Sequence, residues 1–109
     1  MIIATRRLKL NADGRDIDVD VRLFKPVDEG QGWICNYEIE WPTGTKKSSG
    51  AGTDAIQAIQ LALQKIGIEI YTSPYHESRK LSWFSPGRGY GFPVPSNVRD
   101  LLIGDDKTL

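Results

Sequence analysis

Arg7-Leu8-Lys9-Leu10-Asn11-Ala12-Asp13-Gly14-Arg15-Asp16-Ile17-Asp18-Val19-Asp20 reads as two strands folded back on one turn. Ile2, Ala4, Leu8 and Leu10 share one parity, interrupted by Arg6, while Thr5, Arg7 and Lys9 take the other. Beyond the turn, Ile17, Val19, Val21 and Leu23 alternate with Asp16, Asp18, Asp20 and Arg22. A period of two gives each run one apolar and one wet face. Asp13-Gly14 tolerates the positive φ that a tight hairpin turn demands at both central positions. Folding there sets Leu8 against Val19 and Leu10 against Ile17, with Lys9 against Asp18 and Arg7 against Asp20 on the other face. Apolar pairs and ion pairs select the same register, each contributing ~0.2 to 1 kcal/mol.

Working outward, Pro26 ends the second strand because it lacks the N–H that a central ladder needs, and Val27 to Gly32 reads as a loop. Trp33, Cys35, Tyr37, Ile39 and Trp41 then alternate with Ile34, Asn36, Glu38 and Glu40, completing a three-stranded meander. Pro42-Thr43-Gly44 turns the chain, and Thr45 to Gly50 is expected as a short polar edge strand. Thr53 or Asp54, with Gln57 behind it, has the pattern of a helix N-cap. Ile56, Ile59, Leu63, Ile66 and Ile70 follow at spacings of three and four, so a helix from Asp54 to Tyr71 is expected to lay that stripe on the sheet. Gly67 marks either a close approach or an early end, and Ser73-Pro74 stops the helix. Lys80 to Phe84 suggests a further short strand, Ser85 to Gly91 a loop, Phe92 to Pro95 an extended segment, and Ser96 to Ile103 a short helix. The fold class is therefore α+β: an antiparallel sheet of three long strands and one or two short ones, packed on one amphipathic helix. Residues 1–104 are expected as a single domain and 105–109 as a flexible tail.

The 109 residues suffice for one core and not for two. Fourteen basic and 14 acidic side chains leave no net charge to draw the chain to nucleic acid or an anionic membrane. The one cysteine cannot make an internal disulfide, and no apolar run approaches the ~20 residues of a membrane span. With no signal-peptide pattern at the start, a cytoplasmic location is expected, with no membrane association.

The residue inventory argues against an enzyme. Asp16-Ile17-Asp18-Val19-Asp20 has carboxylates at calcium-loop spacing but Val21 where such a loop turns on glycine, so it reads as a solvated strand face. Cys35 falls on the apolar parity, where a thiol is buried and inert, and His76 is the only histidine. Neither metal nor cofactor is expected. Gly50-Ala51-Gly52 lacks the Gly-Lys-Ser/Thr ending of a phosphate loop, and Asp54 occupies the anion site that the helix start offers.

The clearest chemical cluster is basic and aromatic: Tyr75, His76, Arg79, Lys80, Trp83, Arg88 and Tyr90. Within it, Arg88-Gly89-Tyr90-Gly91-Phe92 resembles the first five residues of the RNA-binding RNP1 motif, whose aromatics stack on bases, although Pro93 and Pro95 interrupt any strand there. Three strands before a helix also resemble the second half of a double-stranded-RNA-binding domain, which places lysines where this chain has Thr53 and Asp54.

Trp33-x-Cys35-x-Tyr37-x-Ile39, Gly52-x-Asp54-Ala55-x-Gln57-Ala58-Ile59-x-Leu61-Ala62-Leu63, Leu81-x-Trp83 and Gly91-Phe92-Pro93 together are similar to a family of short bacterial proteins known as a domain of unknown function. That resemblance spans most of the chain and implies a bacterial cytoplasmic source, with no activity attached. A looser likeness is to HicB-type antitoxins, whose Gly-Thr-x-x-Glu-Ala helix start is two positions longer than Gly52-Thr53-Asp54-Ala55. The expected function is a non-catalytic binding or regulatory module with a protein partner. It would use the acidic sheet face of Asp18, Asp20, Glu38 and Glu40 together with the 75–92 region. The alternative is single-stranded nucleic-acid binding through residues 79–92.

Overall fold

In the computed structural model, which describes residues 1–109, φ is 52° at Asp13 and 79° at Gly14, as a tight hairpin turn requires. The turn joins β1 (Ile2–Ala12) to β2 (Arg15–Phe24). Their register pairs Leu8 with Val19, Leu10 with Ile17, Lys9 with Asp18 and Arg7 with Asp20, as the alternation predicts. After Pro26 the chain makes a two-residue strand, β3 (Val27–Asp28), that pairs with the start of β4 (Trp33–Trp41). Because β5 (Gly44–Gly52) runs along the whole of one edge of β4, β2 and β3 share the other edge in succession. A last two-residue strand, β6 (Leu81–Ser82), pairs with β1 and completes a six-stranded antiparallel sheet.

The fold class is α+β, as read from the sequence, with corrections to its parts. The fourth strand is as long as its neighbour and begins at Gly44 rather than Thr45. The helix, α1 (Ala55–Tyr71), presents a different stripe from the expected one. Asp54 caps it by accepting from Gln57 N–H at 2.8 Å, and Gln57 Oε1 reaches back to accept Thr53 N–H at 2.7 Å, a variant of the capping box in which the return bond goes to the residue before the cap. Its buried residues are Ala58, Ala62, Ile66, Gly67, Ile70 and Tyr71; Ile59 and Leu63 are half-buried, and Ile56 is 67% exposed. The cause is close approach. A Cβ on Gly50 would stand 2.2 Å from Ala62 N and 2.8 Å from Ala58 O, so only glycine facing alanines lets helix and strand meet here. That contact turns Ile56 to solvent.

α1 packs on β4 and β5. The inner face nearer β1 is covered by the C-terminal third, which contributes Tyr90, Phe92, Val94 and Leu102 to the same core as Leu8, Leu10, Val19, Val21, Tyr37 and Ile39. A four-residue helix, α2 (Pro74–Glu77), leads into that segment. The expected helix from Ser96 is a 3-10 turn, Ser96–Leu101, and a second follows at Gly104–Thr108. Residues 105–109 are therefore no free tail: the Asp106 side chain is almost fully enclosed. Cys35 is buried as expected, its Sγ 3.3 Å from the Phe24 carbonyl oxygen it donates to, and burial pushes the thiol up.

Gly67 is the tightest point between the two covers. A Cβ there would lie 1.9 Å from Pro93 O. Helix propensity alone favours Gly67→Ala by ~1 kcal/mol. The clash reverses the sign, and we expect G67A to destabilise the protein by ~1 to 3 kcal/mol in urea denaturation.

Candidate functional site

Arg6 lies on the inner parity of β1, among residues that face the core, and its neighbours explain how a cation is held there. Its guanidinium carbon sits 3.9 Å from the Trp83 ring centroid and 4.8 Å from that of Phe92. Stacking of this kind contributes ~0.5 to 2 kcal/mol while shielding the charge from water. Nη1 donates to the carbonyls of Gly91 at 2.8 Å and Tyr90 at 3.3 Å. Burial lowers the Arg6 pKa, opposed by the charge of Asp106, and the group remains a cation at neutral pH.

Behind this arrangement stands the Asp106 carboxylate, 1% exposed. It accepts Gly91 N–H at 2.7 Å, Tyr90 N–H at 2.8 Å and the hydroxyl of Tyr71. Burial, with the hydrogen bond to Asp106, pushes the Tyr71 hydroxyl well above its usual range. Tyr90 is pushed up to about 12 by burial and the nearby Asp106 charge, and its hydroxyl lies 2.6 Å from His76 Nδ1. Tyr71, His76 and Tyr90 pack edge to face, with ring centroids 4.9 to 5.5 Å apart. Gly91 links the two groups: its N–H binds Asp106 and its C=O binds Arg6.

Two hollows flank Gly91. One, about 190 Å³, is an apolar groove between β1 and α1 walled by Ala4, Leu23, Leu63, Ile66, Phe92 and Pro93, with Arg6 as its only charged residue. The other, about 410 Å³, lies among Trp83, Phe84, Arg88, Asp105 and Asp106. Phe84 at its rim has φ 46° and is 89% exposed, its ring tilted on Trp83 at 4.5 Å.

The groove opens beside a free sheet edge. Asn11 N–H donates to Lys80 O at 2.9 Å, on the β6 side of β1. Main-chain groups alternate in direction along a strand, so Thr5 and Arg7 point their N–H and C=O the same way. β6 pairs only with Lys9 and Leu10, which leaves Thr5 and Arg7 without a strand partner there. Ile2 and Ile3 on this strand are 48% and 47% exposed.

The residues singled out from the sequence disperse. Tyr75 stacks on Trp41 at 5.0 Å, beside a separate hollow near Ser73 and Pro74. His76 is half-buried against Tyr90, Arg79 and Lys80 are exposed, and Arg88 is bound to Asp105 at 2.8 Å. Trp83 lies under Arg6, and Tyr90, expected as part of a binding surface, is 2% exposed and belongs to the core. On the outer sheet face Asp18, Asp20, Glu38 and Glu40 are all paired, with Arg7, Lys9, Arg22 or Lys47. Arg6, Tyr71 and Asp106 are not among the candidate site residues that the sequence offers, and Phe92, part of the RNP1-like string, packs on Arg6 in the core. For Arg6 the signal was present as the one residue that breaks the apolar parity of β1.

An α+β domain with a polar knot behind a stacked arginine is thus the class of molecule. The chain belongs to the family described as a domain of unknown function, DUF6968, whose model matches residues 4–94. No curated protein and no solved structure matches it, and neither comparison supports the HicB likeness. The matched segment includes Arg6, Trp83, Gly91 and Phe92; Asp106 lies beyond it. No helix is long and apolar enough to cross a membrane, and no three His, Cys, Asp or Glu side chains gather as a metal site.

Asp106→Asn turns an amide N–H₂ toward donors and removes the charge they bind, so a loss of ~2 to 4 kcal/mol in denaturant unfolding is expected. His76 supplies a pH dependence. Burial, and secondarily the Arg79 charge, hold its pKa below the ordinary 6.5. The unfolded chain then takes up the proton first as pH falls, so stability declines below about 6.5. His76→Gln should flatten that part of the melting-temperature profile between pH 7 and 5.

Proposed function

We propose that this protein is a non-catalytic module that binds a protein partner by adding an extended segment of that partner to the free edge of β1. The observation that carries the reading is the unpaired backbone of Thr5 and Arg7 beside an apolar groove. Main-chain hydrogen bonds along such an edge supply affinity and the adjoining hollow supplies selectivity. Exposed Ile2 and Ile3 add apolar surface to the same strand. This moves the expected binding surface away from the acidic outer face, whose carboxylates already have partners. A cytoplasmic setting is part of the proposal, supported by the lone unpaired Cys35, and a bacterial source by the family resemblance. The second reading, single-stranded nucleic-acid binding through residues 79–92, draws on the exposed Phe84 with Arg79 and Lys80 near it in sequence; burial of Tyr90 removes one of its stacking platforms.

Selection from a displayed random-peptide library, followed by amide mapping in NMR spectra, tests the edge. Selected peptides are expected to shift and protect the Thr5 and Arg7 amides. Thr5→Pro removes an outward N–H while sparing the β2 ladder, so it should weaken binding at least about tenfold without unfolding the domain. A selection that yields no binder, or binders that map to the outer face, would sink the reading.

A further inference from the structure

We infer that Arg6 selects the partner's sequence, by gripping an acidic side chain of the segment that pairs with β1; this rests on the edge-binding reading above. All of Arg6's hydrogen bonds leave from Nη1. Its other two nitrogens, Nε and Nη2, have no protein acceptor, and since no buried polar side-chain atom lacks a partner, they reach solvent. That pair forms the side fork of the guanidinium, the one that binds a carboxylate through two parallel hydrogen bonds. The next residue along the strand shows the fork in use: Arg7 holds Asp20 through Nε at 2.7 Å and Nη2 at 3.0 Å. Arg6 has the same fork without its carboxylate. Trp83 and Phe92 fix the plane of the guanidinium and Gly91 fixes its inner end, so little side-chain freedom remains to be lost on binding. The acid nearest in effect, Asp106, is occupied by Tyr71 and two backbone amides.

Charge complementarity decides the occupant. From Ile2 to Ala12, β1 carries Arg6, Arg7 and Lys9 and no acid, so a second copy pairing through this edge would bring like charges together. An extended segment with an acid opposite Arg6 and an aliphatic residue two positions away, opposite Ala4, places a carboxylate on the fork and a hydrophobe in the groove. The recognised chemistry is therefore an internal Glu or Asp within an alternating, apolar-inward strand.

The probe is the blocked peptide acetyl-Thr-Val-Thr-Glu-Thr-Val-Thr-amide, titrated into labelled protein beside its Glu→Gln counterpart. The acidic peptide is expected to bind at least about tenfold tighter, shifting the Arg6 Nε–H and the Thr5 and Arg7 amides. Arg6→Gln should erase the difference between the two peptides, and Arg6→Lys, which keeps the charge but loses the fork, should restore only part of it. Comparing the peptides on the unaltered protein needs no variant to fold. Equal affinities with the β1 amides still shifting would overturn the role of Arg6 and leave the edge reading standing. No shift from either peptide would overturn both. Self-association through β1, or an oligothymidine that moves the Arg6 and Trp83 signals while the acidic peptide does not, would assign the site to another occupant and overturn the proposal.

Discussion

A single helix is too narrow for this sheet, and most of what distinguishes the protein follows from that shortfall. A helix with its side chains is about 10 to 12 Å across, against strands spaced about 4.8 Å apart, so α1 can roof about two of them. It roofs β4 and β5. The inner faces of β1 and β2 carry Leu8, Leu10, Val19 and Val21, which need a second cover, and the C-terminal third supplies it with Tyr90, Phe92, Val94 and Leu102. That cover is irregular backbone, whose amides have no ladder to bind them. Buried amides must find acceptors elsewhere, and the Asp106 carboxylate accepts two of them together with a tyrosine hydroxyl. At the seam between the two covers Gly67 meets Pro93, and Pro93 in turn lines the apolar groove with Arg6.

The parts legible in the sequence are those whose physics is local. The hairpin register follows from two adjacent runs with complementary faces and one turn, and the helix start from three capping residues within five positions, Thr53, Asp54 and Gln57. The helix stripe was legible only in part. Periodicity identifies a helix and an apolar side but assigns the deepest contact to the largest residues, whereas Gly50 here selects Ala58 and Ala62 and leaves Ile56 outside. The polar knot was not legible, because its partners are remote: Arg6 binds a carbonyl 85 residues away, and Tyr71 an acid 35 residues away. Nothing local tells Asp106, amid Gly104-Asp105-Asp106-Lys107, from a solvated end of chain.

Adjacent arginines show how environment, and not residue type, separates structural from recognising charge. Arg7 and Arg22 belong to a lattice on the wet face with Asp18, Asp20, Glu38 and Glu40, where exposure screens each pair and its worth is ~0 to 1 kcal/mol. Such a lattice keeps the face soluble and settled, with each acid already answered. Arg6 stands one residue away and on the opposite face, its charge answered by aromatic rings and two carbonyls. Rings and carbonyls hold the cation in place, and Asp106 acts on it through its charge without a hydrogen bond, so the Nε and Nη2 donors are left for an anion.

The string Arg88-Gly89-Tyr90-Gly91-Phe92 takes on a different meaning in that setting. In an RNA-binding strand, glycines of this spacing sit beside aromatics that face a nucleic acid. Here both aromatics turn into the core, and the glycines are required by what presses against the backbone. A Cβ on Gly89 would lie 2.5 Å from the Asp106 carboxylate, and one on Gly91 would lie 2.4 Å from the Trp83 ring and 2.6 Å from Arg6 Nη1. Both residues also hold positive φ, 93° and 76°, where a side chain is strained even with room to spare. The same letters that suggest a stacking surface thus describe a passage just wide enough for a chain between a buried carboxylate and a stacked guanidinium. Moving that backbone shifts Asp106's amide partners and the carbonyl that anchors Arg6 together, so the stability of the C-terminal cover and the aim of the arginine fork are set by one peptide unit on either side of Gly91.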